Sequence, residues 1–153
     1  MPETISLNSS QREKAISILR ALSEDKVTTP KDILDEWCSP QSSVRWEQRD
    51  KDETFPQYER YIDPSDIRGT TGSVDWIHHG RLAKKLKLML DGDYNLHRGL
   101  PPALQKRGEW YYVTSDGHHR CMAAKAVGLD ELYVGYEEVP PELLEESCSD
   151  SPA

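Results

Sequence analysis

The first forty residues carry apolar side chains at helical spacing. Apolar residues recur three and four positions apart over 15–22, and Ser10 with Glu13 forms the capping-box pattern that opens a helix. Pro30 predicts a second helix start, because proline is favoured at the first helical position, and the apolar residues of 33–37 give that helix one apolar side. The pattern therefore predicts two N-terminal helices.

From residue 58 onward, short β-type runs alternate with helical patterns. The predicted strands are 58–62, 103–105, 110–114 and 132–139. A helix is predicted over 74–90, because its apolar residues recur at helical spacing and Gly92 stands where a left-handed C-terminal cap is expected. Another helix follows 116–120 and ends at Gly128. This order predicts an α+β fold with a small mixed sheet.

Changes in composition divide the chain into four parts. Residues 1–40 form the helical extension, and 41–57 are polar and weakly periodic, as in a linker or long loop. The regular pattern of strands and helices occupies 58–140. The remainder, 141–153, is predicted to be an acidic, disordered tail with one helical turn at 142–146.

The charge of the chain is unevenly distributed. The 153 residues carry a formal net charge of −8, which argues against a generally basic nucleic-acid binder. Residues 78–125 nevertheless hold nine Lys and Arg against four Asp and Glu, so this part is locally positive. It fits a localised anion site, and the alternative is that the cations of 81–87 form only a solvated helix face.

Cysteine usage and hydropathy bear on metals, redox state and membranes. Cys38, Cys121 and Cys148 are odd in number and lack a CxxC pair, so neither a disulfide framework nor a zinc site is indicated. No apolar run approaches about twenty residues, and no charged-then-apolar leader opens the chain. The sequence therefore predicts a cytoplasmic protein with no metal site of its own and no membrane partner.

Residues 116–120, Asp-Gly-His-His-Arg, stand where a predicted strand gives way to a helix. The free N–H groups of the first turn and the positive end of the helix dipole favour an anion there. Gly117 would let the backbone approach phosphate oxygens, and the side chains of His118 and Arg120 would add donors. The alternative is plain helix capping, in which Asp116 satisfies the first N–H groups.

The remaining side chains of this region have several possible roles. His119 can turn inward and orient the loop, since consecutive side chains at a helix start point in different directions. Asp116 can accept a hydrogen bond from a sugar hydroxyl or help to hold Mg²⁺ at the phosphates. Trp76 and Trp110 are interpreted as packing residues rather than as platforms for a base.

Over 58–139 the chain resembles the ParB/sulfiredoxin superfamily. The resemblance lies in the order strand, Pro-Ser-x-Ile turn, arginine loop, helix, Pro-Pro strand, hairpin, D-G-H-H-R, helix and strand. It implies an α+β fold whose members bind nucleotides through the loop at the helix start. ParB-type CTP switches carry G-E-R-R at this loop, of which Gly117 and Arg120 match here.

Two enzyme patterns of the superfamily are also close to this loop. Sulfiredoxins carry G-G-C-H-R, whose cysteine position is occupied here by His118, while Cys121 lies past the motif and does not match. Sulfinic-acid reduction is therefore not implied. The D-G-H-H-R form is similar to that in free-serine kinases of this fold, which implies a phosphotransferase.

The resemblance implies further site residues before the long helix. Arg68 matches the arginine that several relatives point at the nucleotide. Hydroxyl donors beside it would come from Thr70, Thr71 and Ser73. Phosphotransfer to a hydroxyl also needs a base. The catalytic candidates are His118 and Asp66, and Glu59 and Asp63 lie in the region that could supply the carboxylate instead.

The sequence thus predicts a nucleotide-binding domain of the ParB/sulfiredoxin type at 58–140. Phosphotransfer from ATP or ADP and nucleotide hydrolysis are the candidate reactions, Mg²⁺ with ATP, ADP or CTP the implied ligands, and a small molecule or protein the implied acceptor. The alternatives are a nonenzymatic DNA-partition or regulatory protein and a ParB-like nuclease. DNA is not favoured, because the N-terminal region is acidic and shows no basic helix-turn-helix.

Overall fold

A five-stranded sheet lies at the centre of the fold in the computed structural model, which describes residues 6–40, 42–44, 54–92, 94 and 100–146. The helices are α1 (Ser9–Ser23), α2 (His79–Leu90) and α3 (His118–Val127). The strands are β1 (Ser42–Val44), β2 (Gln57–Ile62), β3 (Ile67–Thr70), β4 (Ala103–Arg107), β5 (Trp110–Val113), β6 (Leu132–Glu138) and β7 (Leu144–Glu146). None of the helices in the described ranges has both the length and the apolar content to cross a membrane.

The central sheet is mixed, with the strand order β2-β6-β4-β5-β3. β2 pairs antiparallel with β6, as β4 does with β5, whereas β4 with β6 and β3 with β5 run parallel. The β4–β5 hairpin turns at Gly108, whose φ of 67° lies in the left-handed region that glycine enters without strain. The predicted α+β class and small mixed sheet are confirmed.

One hydrophobic core joins the helices to the sheet. In α2 the buried residues Leu82, Leu86 and Met89 recur at helical spacing, and they belong to the same cluster as Met122 of α3 and Val134 of β6. The three helices contact one another, and buried residues of α1 belong to this cluster too. The N-terminal helix is therefore packed into the same core as the sheet.

Helix α1 confirms the first predicted helix, but its cap is different. Asn8 is the N-cap: its side chain accepts a hydrogen bond from Gln11 N at 2.8 Å, and its own N–H donates to Gln11 Oε1 at 3.0 Å. The predicted box of Ser10 with Glu13 is wrong, because asparagine satisfies the first donors two residues earlier. Gln11 Nε2 also donates to Gly128 O at 2.8 Å, which fastens α1 to the end of α3.

The second predicted N-terminal helix is wrong. A 3-10 turn, Pro30–Asp32, forms instead, and the chain continues without a helix to Cys38. There Cys38 N donates to Arg68 O at 3.0 Å, and Thr70 N donates to Cys38 O at 3.1 Å. The segment therefore covers the outer edge of β3, and this pairing outweighs the helical pattern of 33–37.

A second, two-stranded sheet forms where the linker and the tail were predicted. β1 and β7 pair antiparallel beside a small hydrophobic cluster. That cluster consists of Val44, Phe55, Val139 and Leu143. The predicted helical turn at 142–146 is wrong, because Pro141–Leu143 form a 3-10 turn and the chain then extends into β7. The other residues of the predicted linker and tail, 41, 45–53 and 147–153, lie outside the described residues.

A side chain at Gly69 would collide with the N-terminal segment, because a Cβ built there overlaps the backbone carbonyl of Cys38. We expect Gly69→Ala to lower the free energy of unfolding by about 2 kcal/mol or more, since either the segment must leave the edge of β3 or the strand must shift. Urea unfolding followed by circular dichroism measures this change.

Gly72→Ala is the matched control for that substitution. A Cβ at Gly72 would meet Thr70 Oγ1 at 3.5 Å, which is an ordinary contact. The free energy of unfolding should therefore change by no more than about 1 kcal/mol. Equal losses in the two variants would contradict the role assigned to Gly69.

Candidate functional site

A cleft of about 870 Å³ lies between one face of α2, the start of α3 and the segment before β4. It is lined by Trp76, Arg81, Lys84, Lys85, Leu88, Tyr94, Leu100 and residues 115–120. Strands β3 and β5 run parallel and adjacent, so the loops that follow them emerge at the same end of the sheet. One of these loops leads to α2 and the other to α3, which brings the two helix starts together.

Gly117 sets the conformation of the loop before α3. Its φ of 91° lies in the left-handed region, and a Cβ at this position would lie 2.5 Å from the Cβ of Pro102. Ala103 N donates to Asp116 O at 3.0 Å, which binds the loop to the start of β4. Because Gly117 is the N-cap and has no side chain, the cap position leaves the first N–H groups of α3 to solvent or to a ligand.

His118 is held by the fully buried hydroxyl of Thr70. Its Nε2 lies 2.9 Å from Thr70 Oγ1, and the same oxygen lies 3.0 Å from Val113 O and 2.9 Å from Gly72 N. A hydroxyl has one proton, so all three contacts are hydrogen bonds only if it donates to Val113 O and accepts the other two. In the neutral ring the unprotonated nitrogen is then Nδ1.

The charge state of His118 follows from its surroundings. Burial lowers the pKa of this imidazole from its usual value, although the nearby carboxylate of Asp116 opposes the shift. The ring is therefore neutral at pH 7 and can take up a proton at Nδ1.

His119 is a buried ring that joins the two helix starts. It is 5% exposed, and its Nε2 accepts a hydrogen bond from His78 N at 2.9 Å. Burial lowers its pKa to about 4, and the neighbouring His118 acts in the same direction. His78 is the N-cap of α2, with Nδ1 accepting from Arg81 N at 3.1 Å. The bond between the two histidines therefore connects the cap of α2 to the first turn of α3.

Arg120 connects α3 to the segment before β4. Its Nη1 donates to Leu100 O at 2.5 Å, and its Nη2 lies 3.7 Å from Asp116 Oδ2. The Arg120 side chain is 15% exposed, whereas that of Asp116 is 68% exposed, so the ion pair adds little to stability. Part of the hydrogen-bonding capacity of Arg120 is thus used within the protein, and its charge remains in the cleft.

Helix α2 supplies three cations for which the sequence left two interpretations open, an anion site or a solvated helix face. Arg81, Lys84 and Lys85 line the cleft, whereas Lys87 on the same helix does not. The signal that could have identified them is their spacing, since positions i, i+3 and i+4 share one helical face. With Arg120 they give four cationic side chains against one carboxylate among the described residues that line the cleft.

Two residues predicted to lie at the nucleotide, Arg68 and Thr71, do not line the cleft. Arg68 forms an ion pair with Glu36 at 2.5 Å, and its guanidinium lies 4.8 Å from the centroid of the Trp110 ring. Thr71 is exposed and donates its N–H to Val113 O at 3.0 Å. Thr70, by contrast, reaches the site through His118.

Asp66 lies toward the far end of α3 from His118. Lys125 is seven residues along α3 from His118, and its Nζ donates at 3.5 Å to the carbonyl of Ser65, the residue before Asp66. Seven residues of helix span roughly 10 Å. Burial, together with a neighbouring carboxylate, raises the pKa of Asp66. The structure therefore does not bring the two predicted catalytic residues together, whereas it does bring Thr70 and 116–120 together.

Trp76 and Trp110, which the sequence predicts to be packing residues, are both partly exposed. Trp76 is 43% exposed and lines the cleft, whereas Trp110, at the start of β5, is 36% exposed and does not line it. The predicted helix start at residue 74 is wrong, because α2 begins at His79. The residues before it form a loop instead, and this loop carries Trp76 into the cleft.

Comparison of the chain with protein-family models, with curated proteins and with solved structures gave no match. The relation to the ParB/sulfiredoxin superfamily therefore stays a prediction from the sequence. The site has to be interpreted from its own geometry and charge.

We expect His119 to make the fold less stable as the pH falls. The imidazole titrates near pH 6.5 in the unfolded chain and at about pH 4 in the fold, so the unfolded state binds more protons between these values. The free energy of unfolding should therefore fall by about 2 kcal/mol from pH 7 to pH 5 because of this residue. Urea unfolding across that range measures the loss.

His119→Gln is the variant that isolates this contribution. Glutamine can still offer an acceptor to His78 N, but it does not titrate. The variant should lose less stability than the wild type between pH 7 and pH 5, whatever its stability at pH 7. The same loss in both proteins would show that His119 is not the group responsible.

Proposed function

We propose that the cleft binds the phosphate groups of a nucleotide. The observation that carries the proposal is the charge of the lining, with four cationic side chains and one carboxylate in a chain whose formal net charge is −8. Like charges held close together repel one another in the folded state, and a bound anion removes that repulsion. The volume of about 870 Å³ also lies within the range of small-molecule sites, about 300–1,000 Å³.

Two kinds of donor are available to phosphate oxygens. The first N–H groups of α3 lie at the positive end of the helix dipole, and Arg81 and Lys84 reach the cleft from α2. The bond from His78 N to His119 Nε2 holds the two helix starts in a fixed relation. Donors that are already in place lose little freedom on binding, which favours affinity.

The distribution of these cations favours a compact anion over duplex DNA. They lie on one face of α2 and in the first turn of α3, around a cleft, rather than along an extended surface. Duplex binding depends on many phosphate contacts along a basic stripe, and a net charge of −8 opposes long-range attraction of a polyanion.

The loop 116–120 supports a nucleotide ligand and disfavours a redox reaction. Its D-G-H-H-R form is similar to that of nucleotide-binding proteins in the superfamily that the chain resembles. Cys121, the cysteine next to the loop, is fully buried, and burial raises the pKa of its thiol to about 12. Thiol chemistry needs an accessible thiolate, which Cys121 does not provide.

Phosphoryl transfer is the reaction class that we infer at this site, because His118 supplies a proton acceptor in the cleft. Its Nδ1 is unprotonated at neutral pH and can take the proton of an attacking hydroxyl or water. The attacking oxygen then bonds to the terminal phosphorus of a nucleoside triphosphate such as ATP. The bond from that phosphorus to the bridging oxygen breaks, and the nucleoside diphosphate leaves with the electron pair. With water the reaction is hydrolysis, and with a hydroxyl acceptor it is phosphotransfer.

Mg²⁺ fits this site as a companion of the nucleotide. The described residues contain no group of three or more side chains that would cage a metal ion, but Mg²⁺ usually keeps its waters and binds phosphates with one or two carboxylates. Asp116 is a carboxylate of that kind, exposed and held only loosely by Arg120 at 3.7 Å. When bound, the ion would neutralise phosphate charge.

We expect the double substitution Arg81→Gln with Lys84→Gln to weaken ADP binding at least about tenfold, because two charges that face the phosphates are lost. Isothermal titration with ADP and Mg²⁺ measures the affinity. Repeating the titration at higher salt should show a smaller loss of affinity in the variant than in the wild type.

Lys87→Gln is the matched control for the loss of charge. Lys87 is exposed and lies on the same helix, but it does not line the cleft, so the affinity should stay within about twofold. An equal loss in the Lys87 variant would contradict a specific role for the cleft. A wild-type chain that binds none of ADP, ATP and CTP would overturn the proposal.

His118→Gln separates binding from chemistry. Glutamine can keep a side-chain donor for Thr70 Oγ1, but it lacks the basic ring nitrogen. Conversion of ATP to ADP, measured by chromatography with water or free serine as acceptor, should fall by about 100-fold or more. The affinity for ADP should change by less than about threefold. No conversion of ATP by the wild type would remove the catalytic part of the proposal and leave the binding part.

A further inference from the structure

Trp76 is a large aromatic side chain that the cleft leaves 43% exposed. Tryptophan is highly buried on average, because contact of its rings with water is unfavourable. Exposed apolar surface inside a concave site is often surface that a ligand covers. Trp76 therefore offers apolar surface to a ligand in the cleft.

Two imidazole rings hold the indole in place. The ring centroids of Trp76 and His118 lie 5.5 Å apart with the planes at 90°, and those of Trp76 and His119 lie 4.8 Å apart at 70°. Perpendicular aromatic pairs of this kind are favourable. Since His119 is buried and bonded to His78 N, the indole is fixed by the same contacts that fix the helix starts.

The cleft has apolar surface in addition to its cations. Leu88 and Leu100 line it together with Trp76, and Leu100 is 78% exposed. An inorganic polyphosphate would use the cations and leave these three side chains in contact with water. A ligand that joins a phosphate chain to a flat aromatic group would cover both kinds of surface.

We propose that Trp76 binds the base of the nucleotide by stacking, and that it makes the site prefer nucleotides to inorganic polyphosphates. This inference rests on the proposed function, because it assigns the base to a cleft whose cations hold the phosphates. Every base has a π face, so stacking on an aromatic side chain tolerates base identity. The expected preference is thus for nucleotides as a class.

Trp110 is a suitable control for Trp76, because its side chain is nearly as exposed, at 36%. Its ring already has a partner in the fold, the guanidinium of Arg68 at 4.8 Å from the ring centroid, and it does not line the cleft. Trp110→Leu is therefore a matched control for the loss of an exposed indole.

The test compares ATP with tripolyphosphate, each with Mg²⁺, by isothermal titration of the full chain. The wild type should bind ATP about tenfold more tightly, although tripolyphosphate carries more charge. Trp76→Leu should lose about that factor for ATP and less than about twofold for tripolyphosphate. Trp110→Leu should change neither affinity.

Two outcomes would overturn the inference and leave phosphate binding in place. One is that the wild type binds ATP no more tightly than tripolyphosphate, and the other is that Trp76→Leu weakens both ligands equally. Binding of neither ligand by the wild type would instead overturn the proposed function.

Because leucine removes the contacts with His118 and His119, Trp76→Phe serves as a second variant. It keeps an aromatic ring and should keep most of the preference for ATP, and a folded phenylalanine variant without that preference would count against stacking.

Discussion

The hydrogen bond from His78 N to His119 Nε2 is the contact on which the cleft depends. The accepting ring is 5% exposed, so breaking the bond would leave a polar group unpaired in the core. The same burial keeps the ring neutral, and a protonated His119 could not accept this bond. Through it, the cap of one helix and the first turn of the other are held side by side. The cations of α2 and the open N–H groups of α3 therefore belong to one site.

Several features of this cleft are unfavourable for folding by themselves. Arg81 and Lys84 repel one another, Gly117 leaves a helix start without a side-chain cap, and Trp76 is left partly in water. Each feature alone has an ordinary structural explanation. Their occurrence around one cavity is typical of a binding site, because binding sites are where proteins break local rules of stability.

The sequence predicts this fold well where local pattern decides, and poorly where distant contacts do. Helix α1, four of the five central strands and the loop before α3 follow from spacing and composition, whereas β3 lies where the pattern predicts a loop. The segment ending at Cys38 does not, because its conformation depends on pairing with β3 far along the chain. That segment also carries Glu36, the partner of Arg68. Its packing against β3 therefore explains why the second predicted helix is wrong and why Arg68 does not lie at the cleft. The cations of α2 are visible as a helical stripe, but local pattern does not specify which neighbour that stripe faces.

The segment ending at Cys38 also limits the pairing of strands between different molecules of this protein. A strand at the edge of a sheet presents unpaired N–H and C=O groups, which can recruit a strand from another molecule. At β3, Cys38 forms hydrogen bonds with two of these groups, the carbonyl of Arg68 and the N–H of Thr70. At β2, the opposite edge, the exposed side chains of Glu59 and Arg60 discourage such pairing through their charge. A chain that lacked the N-terminal segment would present β3 as a template for aggregation.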